Sequence, residues 1–109
     1  MAKKFLGKII SVEYGMDREY PFIFGLQLTF RLSSGSEVDS GARYTINISK
    51  NCRWEESERN NVIAKNIDTV VGILKDAKVS YISELVNKPV EVEIEQSTFK
   101  SFRILTEVL

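Results

Sequence analysis

The stretch IFGLQLTFRL, residues 23–32, is the most regular segment of the chain and decides its architecture. Apolar residues alternate with polar or small ones along it, a period of two that is typical of a half-buried β-strand. One face of this predicted strand carries Phe24, Leu26, Leu28, Phe30 and Leu32. The opposite face carries Ile23, Gly25, Gln27, Thr29 and Arg31. The pattern therefore predicts a sheet with one face turned towards a core.

The segments beside this strand also have β-sheet character. Residues 5–14 are rich in β-branched and aromatic residues, and the turn-forming residues 15–19 follow them. Residues 33–42 are polar and rich in serine and glycine, which predicts a mobile connection. A third strand comes next, with Tyr44, Ile46 and Ile48 facing inward. The first half of the chain is therefore predicted to form three strands.

The second half begins with a helical pattern. From about residue 55 to residue 77, apolar residues recur three or four positions apart, with acidic residues at the start and lysines at the end. The predicted apolar stripe consists of Val62, Ile63, Ile67, Val70, Val71 and Leu74. A short second helix over residues 81–86 follows. Two strands, residues 90–95 and 101–108, joined by a turn around residues 97–99, complete the predicted order.

This order, β-β-β-α-(α)-β-β, predicts one α+β domain over residues 1–109. Two architectures fit it. One is an open, mostly antiparallel sheet with the long helix packed on its apolar face. The other is a partly closed five-stranded barrel of the oligonucleotide-binding (OB) type, in which a helix lies between the third and fourth strands. An open sheet also has edges through which a second copy of the chain can pair to form a homodimer.

The composition argues against catalysis. The chain has no histidine and a single cysteine, Cys52. Imidazole and thiolate groups supply most general bases, nucleophiles and transition-metal ligands. No glycine-rich phosphate-binding motif is present either. We therefore expect a non-enzymatic protein that uses no cofactor and no metal.

Three acidic residues share one face of the fourth predicted strand. Glu91, Glu93 and Glu95 alternate with apolar residues, and we expect Lys100 and Arg103 of the next strand to neutralise them. A weak divalent-cation site is the alternative reading of the same three carboxylates. The simpler interpretation is a solvated strand face.

Aromatic residues near the ends of the predicted elements indicate a surface for a protein partner. The candidates are Trp54 with its neighbour Arg53, Tyr20 and Phe99. A structural role competes for Trp54, which precedes the long helix and can fasten its first turn to the sheet. Phe99 lies in the predicted turn, so we expect its ring to be exposed.

A nucleic-acid surface is the alternative. If the barrel forms, the outward side of the second and third strands carries polar residues, two cations and no acid. The candidates are Gln27, Thr29, Arg31, Arg43, Thr45 and Asn47. This face lacks the aromatic residues on which bases stack in binders of single-stranded DNA. The net charge of zero, from 15 basic and 15 acidic residues, also gives no support to general phosphate binding.

Three parts of the chain resemble a group of small phage and prophage proteins. They are residues 5–9, residues 51–54 with Glu56 and Arg59, and an ending made of residues 74–79, 88–92 and 102–109. The resemblance is strongest over the last third, and it carries no assigned activity or functional residue. It implies a phage-encoded accessory protein in the host cytoplasm. The sequence itself shows no signal peptide and no apolar run of the ~20 residues that span a bilayer, so we expect no membrane partner.

Together these observations predict a phage-type accessory protein that binds a macromolecule. A host or phage protein is the favoured partner, and single-stranded nucleic acid is the alternative.

Overall fold

The computed structural model describes residues 2–49 and 56–108. The described residues form six strands, one α-helix and two short 3-10 helices. In chain order these are β1 (Lys3–Met16), β2 (Ile23–Leu32), β3 (Glu37–Asp39), β4 (Tyr44–Asn47), α1 (Glu56–Ala77), a 3-10 helix (Ile82–Leu85), β5 (Pro89–Glu95), β6 (Thr98–Ile104) and a second 3-10 helix (Thr106–Val108).

All strand pairs of the sheet are antiparallel. The order across the sheet is β3-β2-β1-β5-β6, and β4 also pairs with β2. β4 lies against residues 23–26 and β3 against residues 29–31, so these two short strands follow one another along the same edge of β2. The alternation in β2 is confirmed, because Leu26, Leu28, Phe30 and Leu32 are buried and Phe24 is half-buried.

The polar stretch 33–42 is more ordered than its composition predicts, because it contains β3. Ser40 is buried, and its hydroxyl accepts a hydrogen bond from the Leu28 N–H at 3.0 Å. The Ser40 N–H donates in turn to the Leu28 carbonyl at 2.9 Å. Such local hydrogen bonds let a short polar segment pair with a strand even though it has no apolar alternation.

β1 is long because it pairs with two different strands. Residues 3–8 pair with β5 and residues 7–16 pair with β2. A bulge between Ile9 and Ser11 lies close to the point where the chain passes from one neighbour to the other. A bulge bends a strand and increases its twist, which helps the sheet to coil.

Aromatic rings from distant strands meet across the coiled sheet. Phe30 of β2 stacks on Phe99 of β6, with ring centroids 5.4 Å apart. Tyr44 of β4 lies edge-on to Phe102 of β6 at 5.7 Å. The two edges therefore approach each other, yet β4 and β6 do not pair, and the sheet over the described residues is open.

Helix α1 lies across this opening and packs against β4 and β6, the strands at opposite edges. Two residues of α1, Val70 and Ala77, are buried in the core. The predicted stripe is wrong at two positions, since Ile67 and Val71 are exposed. The helix contacts two strand edges instead of a full sheet face, and this covers a narrower strip of the helix surface.

The C-terminal hairpin turns earlier than the sequence predicts. Gln96 and Ser97 both have positive φ, 52° and 63°, which is typical of the tight two-residue turns that join antiparallel strands. Phe99 therefore lies within β6 and not in the turn. β6 ends at Ile104, so the predicted strand over residues 101–108 is displaced towards the N-terminus.

The prediction of an α+β fold, with a mostly antiparallel sheet and one packed helix, is confirmed. Of the two predicted architectures, the open sheet is the one observed, with a sixth strand that the sequence pattern did not indicate.

Candidate functional site

An apolar groove opens between the first half of α1 and the end of the sheet next to the β1–β2 turn. Its volume is about 340 Å³. We call it the end groove, and it is lined by Tyr14, Phe24, Ile46, Ile48, Arg59, Ile63, Asn66 and Ile67. The strand residues belong to the inner face of the sheet, which elsewhere is covered by the core.

Asn66 holds the helix at a fixed position in the groove. This residue is buried, and its Nδ2 group donates to the Tyr44 carbonyl of β4 at 2.9 Å. Its Oδ1 atom accepts a hydrogen bond from the Tyr14 hydroxyl of β1 at 3.3 Å. A buried amide is stable only when its polar atoms have partners, so these two bonds position α1 relative to both strands.

Large apolar side chains remain exposed around the end groove. Ile67 is 50% exposed and Met16 is 65% exposed. Tyr14 and Phe22 are also exposed, and the Phe22 carbonyl accepts the N–H of Ile48 at 2.7 Å, which brings the β1–β2 turn next to the groove. Uncovered apolar side chains therefore continue from the helix onto the end of the sheet.

The β1–β2 turn is organised by one carboxylate. Asp17 accepts hydrogen bonds from the backbone N–H groups of Glu19 and Tyr20 at 2.8 and 3.0 Å. It also accepts one from Nε2 of Gln27 at 2.8 Å. The Gln27 bond, followed by those from Tyr20 and Glu19, holds the pKa of Asp17 below its ordinary value of 3.8. The lowered pKa keeps the Asp17 carboxylate charged at neutral pH. Its three hydrogen bonds hold the turn against the outer face of the sheet.

A second depression, which we call the outer hollow, lies under this turn and has a volume of about 660 Å³. Gly15 faces Gly25 in the β1–β2 register, and a Cβ added to Gly15 would meet nothing within 4 Å. The hollow is lined by Glu13, Tyr14, Gly15, Met16, Asp17, Arg18, Glu19, Tyr20, Gly25 and Gln27. Its lining contains three carboxylates and one guanidinium group, so the hollow is acidic.

Tyr20 and Phe99, the two described residues among those predicted to contact a protein, are not brought together. Tyr20 is exposed beside the outer hollow, and its ring makes an edge-on contact with Phe22 at 6.0 Å. Phe99 is half-buried against the core and stacks on Phe30, so the expectation of an exposed ring is wrong. Trp54, Arg53 and Cys52 lie outside the described residues.

The face predicted to contact nucleic acid has neighbours that the sequence did not reveal. β3 brings Glu37 to within 2.9 Å of Arg31, and Asp39 accepts a hydrogen bond from the Thr29 hydroxyl at 2.8 Å. The prediction that this face carries no acidic residue is therefore wrong. Three of the remaining candidates have hydrogen-bond partners within the protein. The Gln27 amide donates to Asp17, the Thr45 hydroxyl donates to the Ala42 carbonyl, and the Asn47 side chain accepts the Ser49 N–H. Arg43 is exposed.

The acidic face of β5 is paired as predicted. Arg103 contacts Glu91 at 3.2 Å, and Lys100 lies 4.0 Å from Glu93 and 3.3 Å from Glu95. Arg103 donates hydrogen bonds to the carboxylates of Glu107 and Glu91, and these bonds, that to Glu107 first, raise the pKa of Arg103 above its ordinary value. Within residues 2–49 and 56–108, no group of three or more potential metal-binding side chains is close enough to hold an ion.

No protein family model, curated protein or solved structure matches the chain. None of the helices in the described part of the molecule is both long and apolar enough to cross a lipid bilayer.

The end groove is the main feature of the candidate site that the sequence patterns did not predict. The sequence did carry one sign of it. The predicted apolar stripe of α1 includes Ile67 and Val71, and the sheet edges leave both residues exposed.

Proposed function

We propose that this protein acts without catalysis, by binding a protein partner at the end groove. The observation that supports the proposal is an apolar groove of about 340 Å³ whose walls include the half-exposed Ile67. Contiguous apolar surface that a chain leaves uncovered is typical of a site for another macromolecule. The occupant that fits is an apolar side chain presented by a protein.

The residue types around the groove support the same partner class. Tyr14 and Arg59 line it, and tyrosine and arginine are among the residues that contribute most energy to protein interfaces. Arg59 makes no ion pair with another described residue. Its guanidinium group is therefore available to a polar group of the partner at the rim of the groove.

The resemblance to phage and prophage proteins supports a setting for this binding. We place the partner among the host or phage proteins of the bacterial cytoplasm. A small phage protein that covers a surface of a larger protein needs no catalytic group, and this agrees with the absence of histidine.

Site-specific photo-cross-linking tests the proposal. A photoreactive amino acid replaces Ile67 in the groove and, as a matched control, Tyr81, an exposed apolar residue outside the groove lining. In phage-producing host cells we expect one discrete protein adduct from position 67 and none from position 81. The adduct from position 67 should be lost when Ile63 is changed to Asp in a chain that remains folded. Adducts of equal yield from both positions, or adducts to nucleic acid alone, would overturn the proposal.

The strand order supports a second candidate, binding of single-stranded nucleic acid. With β3 and β4 counted as one strand, the order corresponds to an OB-like barrel in which the third and fifth strands have not paired, and α1 lies between the third and fourth strands. The acids beside Arg31 oppose phosphate binding on this face. Fluorescence anisotropy with single-stranded DNA at low salt tests this candidate, and absence of binding would eliminate it.

A further inference from the structure

The second half of β1 has an open edge. Pairing of β1 with β5 ends at Lys8, and the last backbone bonds on that side join Ile9 to Lys88 and Asn87. From residue 11 to residue 16, β1 pairs with β2 on its other side and with no other described strand. Such an edge presents unpaired N–H and C=O groups that can bind another extended chain.

The hydrogen-bond pattern identifies which residues present these groups. The Asp17 N–H donates to the Ile23 carbonyl at 2.9 Å, and Gly15 and Glu13 are opposite Gly25 and Gln27 in the register. In antiparallel pairs the backbone groups of successive residues point to opposite sides. The groups of Glu13 and Gly15 therefore point towards β2, and those of Val12, Tyr14 and Met16 point towards the open edge.

The two faces next to this edge differ in chemistry. On the inner side, Tyr14 lines the apolar end groove. On the outer side, Glu13 and Gly15 line the outer hollow, where Asp17 and Glu19 add negative charge and Arg18 is the one cation of the lining. A strand added to the edge places alternate side chains on these two faces.

We propose that residues 11–16 of β1 bind an extended segment of the protein partner as an added strand. This inference rests on the proposed function and specifies the partner's chemistry. Apolar side chains of the segment enter the end groove, and the basic side chains between them enter the outer hollow. Backbone hydrogen bonds supply affinity, and the two depressions supply specificity, as in other cases of β-strand addition.

Charge favours such a segment over a second copy of this chain. Antiparallel self-pairing centred on Glu13 places the two Glu13 carboxylates opposite each other, and like charges in opposed positions are destabilising. Self-pairing centred on Tyr14 brings the two acidic hollows side by side. A segment with lysine or arginine on that face replaces this repulsion with attraction.

Peptides of about eight residues test the chemistry directly. The probe is a labelled peptide in which valine and lysine alternate. One control replaces lysine by glutamate, and the other has the same valines and lysines in two blocks. Fluorescence anisotropy should show the alternating valine–lysine peptide binding about tenfold more tightly than either control. Equal affinities for the alternating and block peptides would overturn the proposal.

Amide hydrogen exchange distinguishes strand addition from other binding modes. On binding, the amides of Val12, Tyr14 and Met16 should exchange about tenfold more slowly, whereas those of Glu13 and Gly15 are already bonded to β2. Unchanged exchange at Val12, Tyr14 and Met16 in the peptide complex would overturn the proposal. Protection that grows with protein concentration in the absence of peptide would also overturn it, in favour of a homodimer.

Two variants separate this inference from the proposed function. Met16→Pro removes one outward N–H, and Met16→Ala removes the same side chain while keeping the N–H. Thermal melts confirm that both variants fold. We expect Met16→Pro to bind the cross-linked partner at least about tenfold more weakly than Met16→Ala. If Ile67→Asp abolishes binding and Met16→Pro equals Met16→Ala, the strand-addition inference fails and the proposed function stands. If Ile67→Asp and Met16→Pro both bind normally, both proposals fail.

Discussion

The hydroxyl of Tyr14 in β1 donates a hydrogen bond to Oδ1 of Asn66 in α1 at 3.3 Å. This bond joins the strand with the open edge to the helix that forms the opposite wall of the end groove. The same Asn66 side chain also reaches the Tyr44 carbonyl of β4. One buried amide therefore connects three elements at the proposed binding site.

Loss of this amide should destabilise the fold. Asn66→Ala leaves the Tyr44 carbonyl and the Tyr14 hydroxyl without their partner, and we expect the free energy of unfolding to fall by about 1–3 kcal/mol. Urea denaturation measures the change. Asn61→Ala, at an exposed position of the same helix, is the control and should change stability by less than about 0.5 kcal/mol. Equal losses in the two variants would contradict the role given to Asn66.

Phe99 should behave as a core residue. Because its ring stacks on Phe30 and packs on the core, Phe99→Ala should lower the free energy of unfolding by about 2–4 kcal/mol. Tyr20→Ala, which removes an exposed ring, should change it by less than about 1 kcal/mol. Chemical denaturation of both variants checks this difference. A stable Phe99→Ala protein would show that the ring is not part of the core.

Two glycine-to-alanine changes should have opposite signs. Gly25 has a φ of 150°, and a Cβ there would lie 2.4 Å from the Tyr44 carbonyl oxygen, so Gly25→Ala should be destabilising. Gly72 is within α1, and a Cβ there meets nothing within 4 Å. Gly72→Ala should therefore raise the melting temperature, with a gain of about 0.5–1 kcal/mol from helix propensity. Calorimetry of the two variants tests both signs.

The Asp17 carboxyl should titrate below its ordinary pKa of 3.8. A pKa that is lower in the folded than in the unfolded protein contributes stability above the unfolded value, and this contribution is lost as the pH falls through the folded value. NMR titration of the carboxyl carbon measures the pKa. Gln27→Ala removes the largest cause and should return the pKa towards 3.8. An Asp17 pKa that does not change in Gln27→Ala would contradict this assignment.

The strands and the helix could be predicted because their periodicity is local. The alternation around Phe30 and the helical repeat through Val70 are visible in the sequence, and both residues are buried. β3 could not be predicted in this way, because it contributes a single apolar residue, Val38, to the core and is otherwise held by hydrogen bonds of Ser40 and Asp39. The position of the C-terminal turn depended on positive φ at Gln96 and Ser97, residue types that do not mark such turns strongly.

The candidate site was harder to predict than the fold. A helical stripe indicates that one helix face is apolar, but not how much of that face the sheet covers. Ile67 is apolar in the same register as Val70, yet one is exposed and the other is buried. The nucleic-acid face was misjudged for a related reason, since Glu37 comes next to Arg31 only through the pairing of β3 with β2.

The most direct test of the central claim is the dissociation constant for the partner cross-linked at position 67, measured by calorimetry with three forms of the protein. The forms are the natural chain, Ile67→Asp in the end groove, and Tyr81→Asp at an aromatic residue that is 71% exposed and outside the groove lining. We predict that Ile67→Asp weakens binding about thirtyfold or more and that Tyr81→Asp leaves it unchanged. Unchanged affinity for a folded Ile67→Asp protein would contradict the claim that the end groove is the binding site.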